Sequence, residues 1–267
     1  TLQLGTWNLE LETWRVPRTA YIHVPFCAHH CGYCDFAVTA GHDHLIDLYL
    51  EALGAELATL GEPRPVESLF IGGGTPTHLS ADQLRRLLEA VNRWLPLVGA
   101  SGGREPPVGP SRDVAPREEQ GAHAPRSPEF SVEANPDSLT DEKAAGLAAG
   151  GVTRVSIGVQ SFAPQSLAAL DRRHAPEHIG RAVEAVRRHI PAVSFDLIFG
   201  APGSTVDTWR ADLDAALAFG PQHVSTYGLP YEKGTPLWKK QTRGLVAAVD
   251  EDAELAMYEH AMDALTL

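Results

Sequence analysis

Residues 21–36 read Tyr21-Ile-His-Val-Pro-Phe-Cys27-Ala-His-His-Cys31-Gly-Tyr-Cys34-Asp-Phe36 and hold every cysteine of the 267-residue chain. Three thiols fall within eight residues, and there is no fourth. An iron–sulfur cube with four thiolate ligands is coordinatively closed, whereas three thiolates leave one iron open to a further ligand. Other uses of the same residues compete with this one. A zinc site would join the three cysteines to His29 or His30, yet zinc ligands ordinarily come from two separated segments. A disulfide scaffold fits poorly with an odd cysteine count and with a chain long enough to build a core without staples. A redox pair formed by Cys31 and Cys34 alone would leave Cys27 without a role.

Working outward, Ala20 to Val24 reads as a strand feeding the cysteine loop, and Ile46, Tyr49, Leu50, Leu53, Leu57 and Leu60 recur at helical spacing. Val66 to Ile71 is a second strand, stopped by Gly72-Gly-Gly74-Thr-Pro-Thr77. Ser80 and Gln83 form a capping box before a helix with the apolar stripe Leu84, Leu87, Leu88, Val91 and Leu95. Residues 96–128 change to Gly, Pro, Arg, Ser and Glu with no apolar period, which predicts a solvated, disordered insertion. Strands follow at Glu129 to Glu133, Val152 to Val159, Ala192 to Phe199 and His223 to Tyr227. Helices fall between them: from the Thr140 cap to Ala149, Pro164 to Leu170, Pro176 to His189 and Thr205 to Phe219. Asp250 opens a last helix in which Leu255, Tyr258, Met262 and Leu265 share a face.

Strands alternating with helices imply parallel βα units with right-handed crossovers. Six such units predict an α/β fold, an incomplete (β/α)6 barrel of TIM type spanning 20–267 after a lead at 1–19. In such barrels chemistry sits at the C-terminal ends of the strands. That rule gathers the cysteines, Gly72 to Thr75, Glu133, Gln160, Asp196 and Tyr227-Gly228 on one rim.

Composition sets outer bounds. Acidic residues outnumber basic ones 34 to 22, a net charge of −12, which disfavours general nucleic-acid binding. No apolar run is long enough to span a bilayer, and the start lacks a basic segment leading into an apolar one. Thiols that must stay reduced also point to the cytoplasm. The chain lacks an initiating methionine and ends inside a predicted helix, so a fragment lacking a C-terminal domain is expected.

The cysteine spacing, together with Gly72-Gly-Gly-Thr-Pro-Thr, Glu133-Ala-Asn-Pro, Ile157-Gly-Val-Gln-Ser-Phe162, Asp171-Arg-Arg-His174, Asp196-Leu-Ile-Phe-Gly-Ala-Pro and Tyr227-Gly-Leu-Pro, resembles the radical S-adenosylmethionine (SAM) superfamily. Within it, the set resembles the group of oxygen-independent coproporphyrinogen III oxidase and the haem chaperone HemW. The resemblance implies a 4Fe-4S cluster on Cys27, Cys31 and Cys34 whose open iron chelates SAM and cleaves it to a 5′-deoxyadenosyl radical. It puts Tyr21 and Tyr33 along the SAM site, and Gly73, Gly74 and Thr75 against its methionyl part. Glu133, Gln160, Arg172 and Asp196 take its charged and hydroxyl groups, with Gly228 on the same rim. Taken singly, the glycine loop is also an ordinary turn, and an Asp or Arg is usually a surface charge.

Phe36 stands where the oxidase pattern continues Cys-x-x-Cys-x-Cys, which together with the short lead favours the HemW-like branch. The branch implies haem as a further ligand, recipient haemoproteins, and an electron donor such as a flavodoxin or ferredoxin. His29, His30, His42 and His44 are the haem-ligand candidates near the loop. A porphyrinogen with four carboxylates would need a basic patch, for which Arg172-Arg173, Arg187-Arg188 and Lys239-Lys240 are the local candidates. A radical SAM enzyme acting on another substrate is the remaining alternative.

Overall fold

A computed structural model describes residues 18–98 and 128–266. The lead through residue 17 and most of the predicted insertion lie outside the described residues. Six parallel strands form one sheet: β1 (Thr19–Val24), β4 (Ser68–Gly73), β5 (Glu129–Ala134), β6 (Arg154–Gln160), β7 (Ala192–Phe199) and β8 (His223–Gly228). Spatial order follows chain order, and β1 and β8 are the two edges, so the barrel is open between them. A two-residue pair, β2 (Phe26–Cys27) with β3 (Thr39–Ala40), brackets the cysteine loop.

Helices α1 (Ile46–Ala58), α2 (Ala81–Trp94), α3 (Asp141–Ala149), α4 (Pro164–Ala169), α5 (Pro176–Arg187) and α6 (Val206–Ala218) connect the strands. Alternate strand residues face these helices and bury almost completely: Leu69, Ile71, Phe130, Val132, Val155, Ile157, Val193, Phe195 and Leu197 join one core. The α2 stripe predicted from its spacing, Leu84, Leu87, Leu88, Val91 and Leu95, is buried in that core. The capping box forms as expected, with Gln83 N–H donating to Ser80 Oγ at 3.2 Å and Ser80 N–H to Gln83 Oε1 at 3.0 Å.

The intervening residues of the strands face inward and are mostly polar. Glu129, Ser131, Glu133, Arg154, Ser156, Ser194, Asp196, His223 and Ser225 line the concave side of the sheet. A closed barrel fills this space with branched apolar residues; here it is lined mostly by polar and charged side chains.

Some boundaries differ from the sequence expectation. The second strand runs to Gly73 instead of stopping at Ile71, because its pairing with β1 continues through His23 with Gly72 and Val24 with Gly73. The glycines permit that closeness: a Cβ on Gly73 would sit 2.5 Å from the His23 ring, and one on Gly74 2.7 Å from the Phe26 carbonyl. Val66 lies before the strand proper and bridges to Leu97, just inside the predicted insertion. A helix the periodicity did not predict, α7 (Pro236–Thr242), starts at a Thr235 cap with proline in its first turn. In α8 (Glu251–Leu265) the core takes Met257 and Ala261, whereas Leu255, Tyr258, Met262 and Leu265 share an exposed face. Trp209 ties α6 to α8 by donating to the Met257 carbonyl at 2.8 Å.

Candidate cluster and nucleotide site

The C-terminal strand ends surround a cavity of about 580 Å³. Its walls bring together Cys27, Cys31, Cys34, Tyr33, Gly73, Gly74, Thr75, Glu133, Gln160, Arg172, Asp196 and Gly228, which is every predicted site residue except Tyr21. Tyr21 sits on the concave face instead, its ring stacked on Phe70 and its hydroxyl 3.3 Å from His23 Nδ1. The end of β1 is already occupied by His23, which packs over Gly73.

The cysteine loop is held by Thr75, just past the end of β4, and by Arg172, in the turn after α4. Thr75 Oγ1 lies 3.5 Å from Cys27 Sγ, and Arg172 Nη1 donates to Cys31 Sγ at 3.5 Å. Arg172 Nη2 donates to Asn135 Oδ1 at 2.7 Å and to the Gly158 carbonyl at 2.8 Å. Asn135 Nδ2 in turn donates to Thr75 Oγ1 at 3.1 Å. Burial pushes the Cys27 and Cys34 thiols up from their ordinary values. Burial also raises the Tyr33 phenol, partly opposed by the neighbouring Arg172.

Two of the acids that line the cavity, Glu133 and Asp196, are largely buried. Burial pushes the Glu133 carboxyl up to about 7, against a hydrogen bond from Gly73 N–H at 3.0 Å and with added repulsion from Asp196. Asp196 is raised for the same reason, offset by Ser156 Oγ at 3.0 Å and by Ser225. Both are costly to keep charged in so buried a place, and a cationic or hydroxyl-rich ligand relieves that cost.

Gln160 stands at a register shift between β6 and β7 with φ of 64°, in the left-handed region. Buried His174 braces this turn by bonding the Val159 carbonyl at 3.0 Å. Burial and the Arg172 charge hold His174 near 4, so it is neutral at ordinary pH.

Of the four candidate histidines, His29 and His30 line the cavity. His30 Nε2 is bonded to the Cys34 carbonyl at 3.0 Å, while His29 Nε2 lies 3.2 Å from Asp171 without a well-aimed hydrogen bond. His42 is engaged with Thr39 and the Ala40 carbonyl outside the cavity, its ring 5.9 Å from that of His44. Among the basic pairs only Arg172 faces the cavity: Arg187 bonds the Phe219 and Gly220 carbonyls, and Arg188 pairs with Asp141. Asn135, Ser156 and Glu232 also line it and were missed from sequence. Asn135 lies inside the quoted Glu133-Ala-Asn-Pro segment, and Ser156 shares the inward face of Gly158 and Gln160 by strand alternation, so both were within reach.

Three soft sulfurs on one short loop, beside side-chain-free glycines and two buried carboxylates, suit an iron–sulfur cluster with a cationic nucleotide against it.

An open six-stranded parallel α/β sheet with a three-cysteine loop after its first strand defines a class, and sequence comparison states it. The radical SAM superfamily signature matches residues 21–216, and the chain belongs to that superfamily. Membership implies a 4Fe-4S cluster and SAM. Several of its relatives bear the name of a haem chaperone. The chain is 35% identical over 250 residues to "Heme chaperone HemW" of Lactococcus lactis, covering 93% of this chain and 59% of that protein. It is 39% identical over 253 residues to HemW of Mycobacterium tuberculosis, covering 91% and 57%. In structure it is similar to coproporphyrinogen III oxidase (HemN) of Escherichia coli, with a TM-score of 0.74, 23% identity and coverage of 94% and 52%. The chain therefore spans about three fifths of the length of the curated relatives it matches. Among the described residues no helix is long and apolar enough to cross a membrane.

Proposed function

We propose that this chain is the radical SAM portion of a HemW-like protein that binds haem and delivers it to recipient haemoproteins. Cys27, Cys31 and Cys34 hold the cluster, and Gly73, Gly74, Thr75, Glu133, Gln160, Arg172 and Asp196 form the SAM site. A cluster held by these cysteines would supply the electron for reductive cleavage of a bound SAM. The protein's own part is to position and shield. Glu133 and Asp196 offer buried carboxylates to an amine or ribose hydroxyls. Arg172 uses three of its five N–H donors inside the protein, leaving two for a carboxylate. Tyr33 and the glycines close the wall around it.

The observation that favours haem over a four-carboxylate porphyrinogen is the mouth of the cavity. Phe36, 65% exposed, stands there next to the cysteines. Arg172 is the one cation of the predicted basic pairs on this wall, and with three donors used inside the protein its remaining two serve one carboxylate, not four. An exposed aromatic ring suits a flat macrocycle; it does nothing for four propionates. Similarity to proteins named heme chaperone supports the same reading.

The test uses chain reconstituted with iron and sulfide without air. Titration with haemin should give a saturable Soret shift, followed by transfer to an apo-cytochrome. Conversion of coproporphyrinogen III to protoporphyrinogen IX with SAM and dithionite, without haemin binding, would replace this reading with the oxidase one.

A further inference from the structure

Cys27, Cys31 and Cys34 are not supported alike. Cys34 is met by its own loop, through the backbone near Phe36 and its N–H to the Cys31 carbonyl. Cys27 and Cys31 are met from across the barrel, at sequence distances of 48 and 141 residues, by Thr75 and Arg172. Those two donors converge on one side chain, Asn135.

The polarity of the chain of bonds is determined. The Asn135 carbonyl must accept from Arg172, because a guanidinium only donates. Its amide nitrogen therefore points to Thr75 Oγ1 and donates there. With its oxygen accepting, the Thr75 hydroxyl hydrogen is free for Cys27 Sγ. One amide thus orients two donors, a hydroxyl on one cysteine and a cation on another. Asn135 is itself pinned, its N–H on Thr77 Oγ1 at 3.3 Å and its carbonyl accepting from Ser138 Oγ at 3.2 Å.

We propose that Asn135 is a positioning residue which, through Thr75 and Arg172, aims hydrogen bonds at two of the three cluster cysteines and so sets the electron affinity of the cluster. Hydrogen bonds and positive charge at the ligand sulfurs are among the factors that fix an iron–sulfur potential. They favour the reduced, more negative state over the oxidised one. Removing Asn135 leaves Thr75 without a donor to orient it and releases the Arg172 guanidinium toward other partners. The inference rests on the reading that these cysteines hold a 4Fe-4S cluster.

The experiment is a redox titration of the reconstituted full chain, followed by electron paramagnetic resonance of the reduced cluster. Wild type, Asn135→Ala, Thr75→Val and Thr75→Ser are compared at equal iron content. At the wild-type midpoint, Asn135→Ala should lower the reduced-to-oxidised ratio about tenfold, equal to about 59 mV for one electron. Thr75→Val, which loses the Cys27 bond and the acceptor for Asn135 Nδ2 but leaves Asn135 Oδ1 on Arg172, should lower it by a smaller factor, and Thr75→Ser should restore it. Matching midpoints in wild type, Asn135→Ala and Thr75→Val, with cluster present in all three, overturn the proposal. If Asn135→Ala takes up no iron, Thr75→Val against Thr75→Ser decides by itself. Failure of wild type to take up a cluster sinks the underlying cysteine reading, a separate result.

Discussion

The two faces of the sheet are made by the same six strands and behave as different materials. On the outer face, Phe130, Val132, Val155, Ile157, Val193, Phe195 and Leu197 are each no more than 1% exposed and packed against helices. On the inner face the neighbouring residues are Ser131, Glu133, Ser156, Ser194, Asp196 and Ser225, with Tyr21 and Tyr227 more than half exposed at the two edge strands. The difference teaches that folding and chemistry are allotted to alternate residues. The outer set removes apolar area from water, which is the main favourable term in folding. The inner set keeps polar groups that cost stability and are worth keeping only for a ligand.

Substitutions that cross this division test it. The largest effect is expected from Phe195→Ala, which removes the ring packed edge-on against both Phe162 and Phe219 at the centre of the outer core. It should destabilise the chain by about 3–5 kcal/mol in denaturant unfolding. A loss under about 1 kcal/mol would mean that this face is not the one that holds the fold.

Glu133→Gln should act the other way. The carboxyl sits near 7 in the folded chain against an ordinary value near 4.5. The folded state therefore holds a proton that the unfolded state has released between those values, and wild-type stability falls as pH rises through that window. The neutral amide escapes this fall. The variant should be more stable than wild type by up to about 3 kcal/mol above pH 7, with the gap closing below about pH 4.5, while SAM binding weakens. Thermal melts at pH 4 and pH 8, with SAM titration by calorimetry, check both halves. A variant less stable at pH 8 would break the assignment of Glu133 to a face kept for ligand.

Tyr227→Ala should matter least. Its ring is 54% exposed on the inner side of edge strand β8, and stability should change by no more than about 0.5 kcal/mol. A loss comparable to that of Phe195→Ala would show that the inner face also carries folding energy.

Legibility from sequence followed the same division. The outer face and its helices were readable, because apolar residues at period 2 in strands and 3.6 in helices announce which side is buried. Thr140, Thr205, Asp250 and the Ser80 and Gln83 box marked helix starts where the structure has them. The strand-end rule collected most of the cavity wall. Tyr21 lies on the same inward face as His23 but two residues further from the end of β1, outside the cavity wall, and a motif position does not say how far along a strand a cavity reaches. The exposed stripe of α8 was readable as a stripe, but spacing alone cannot say what lies opposite it. Asn135 was passed over because a lone asparagine after a strand signals a turn at least as often as a ligand.

The residues by themselves narrowed the class of chemistry, since three thiols on one short loop suit a ligand set left open to a further group. They also determined the order of elements, since local periodicity is a property of neighbours along the chain. Only the tertiary structure decided that Thr75, Asn135 and Arg172 meet between Cys27 and Cys31, and that Glu133 and Asp196 share a buried wall. Hydrogen bonds and burial depend on which distant strands lie side by side, and nothing in local sequence carries that distance.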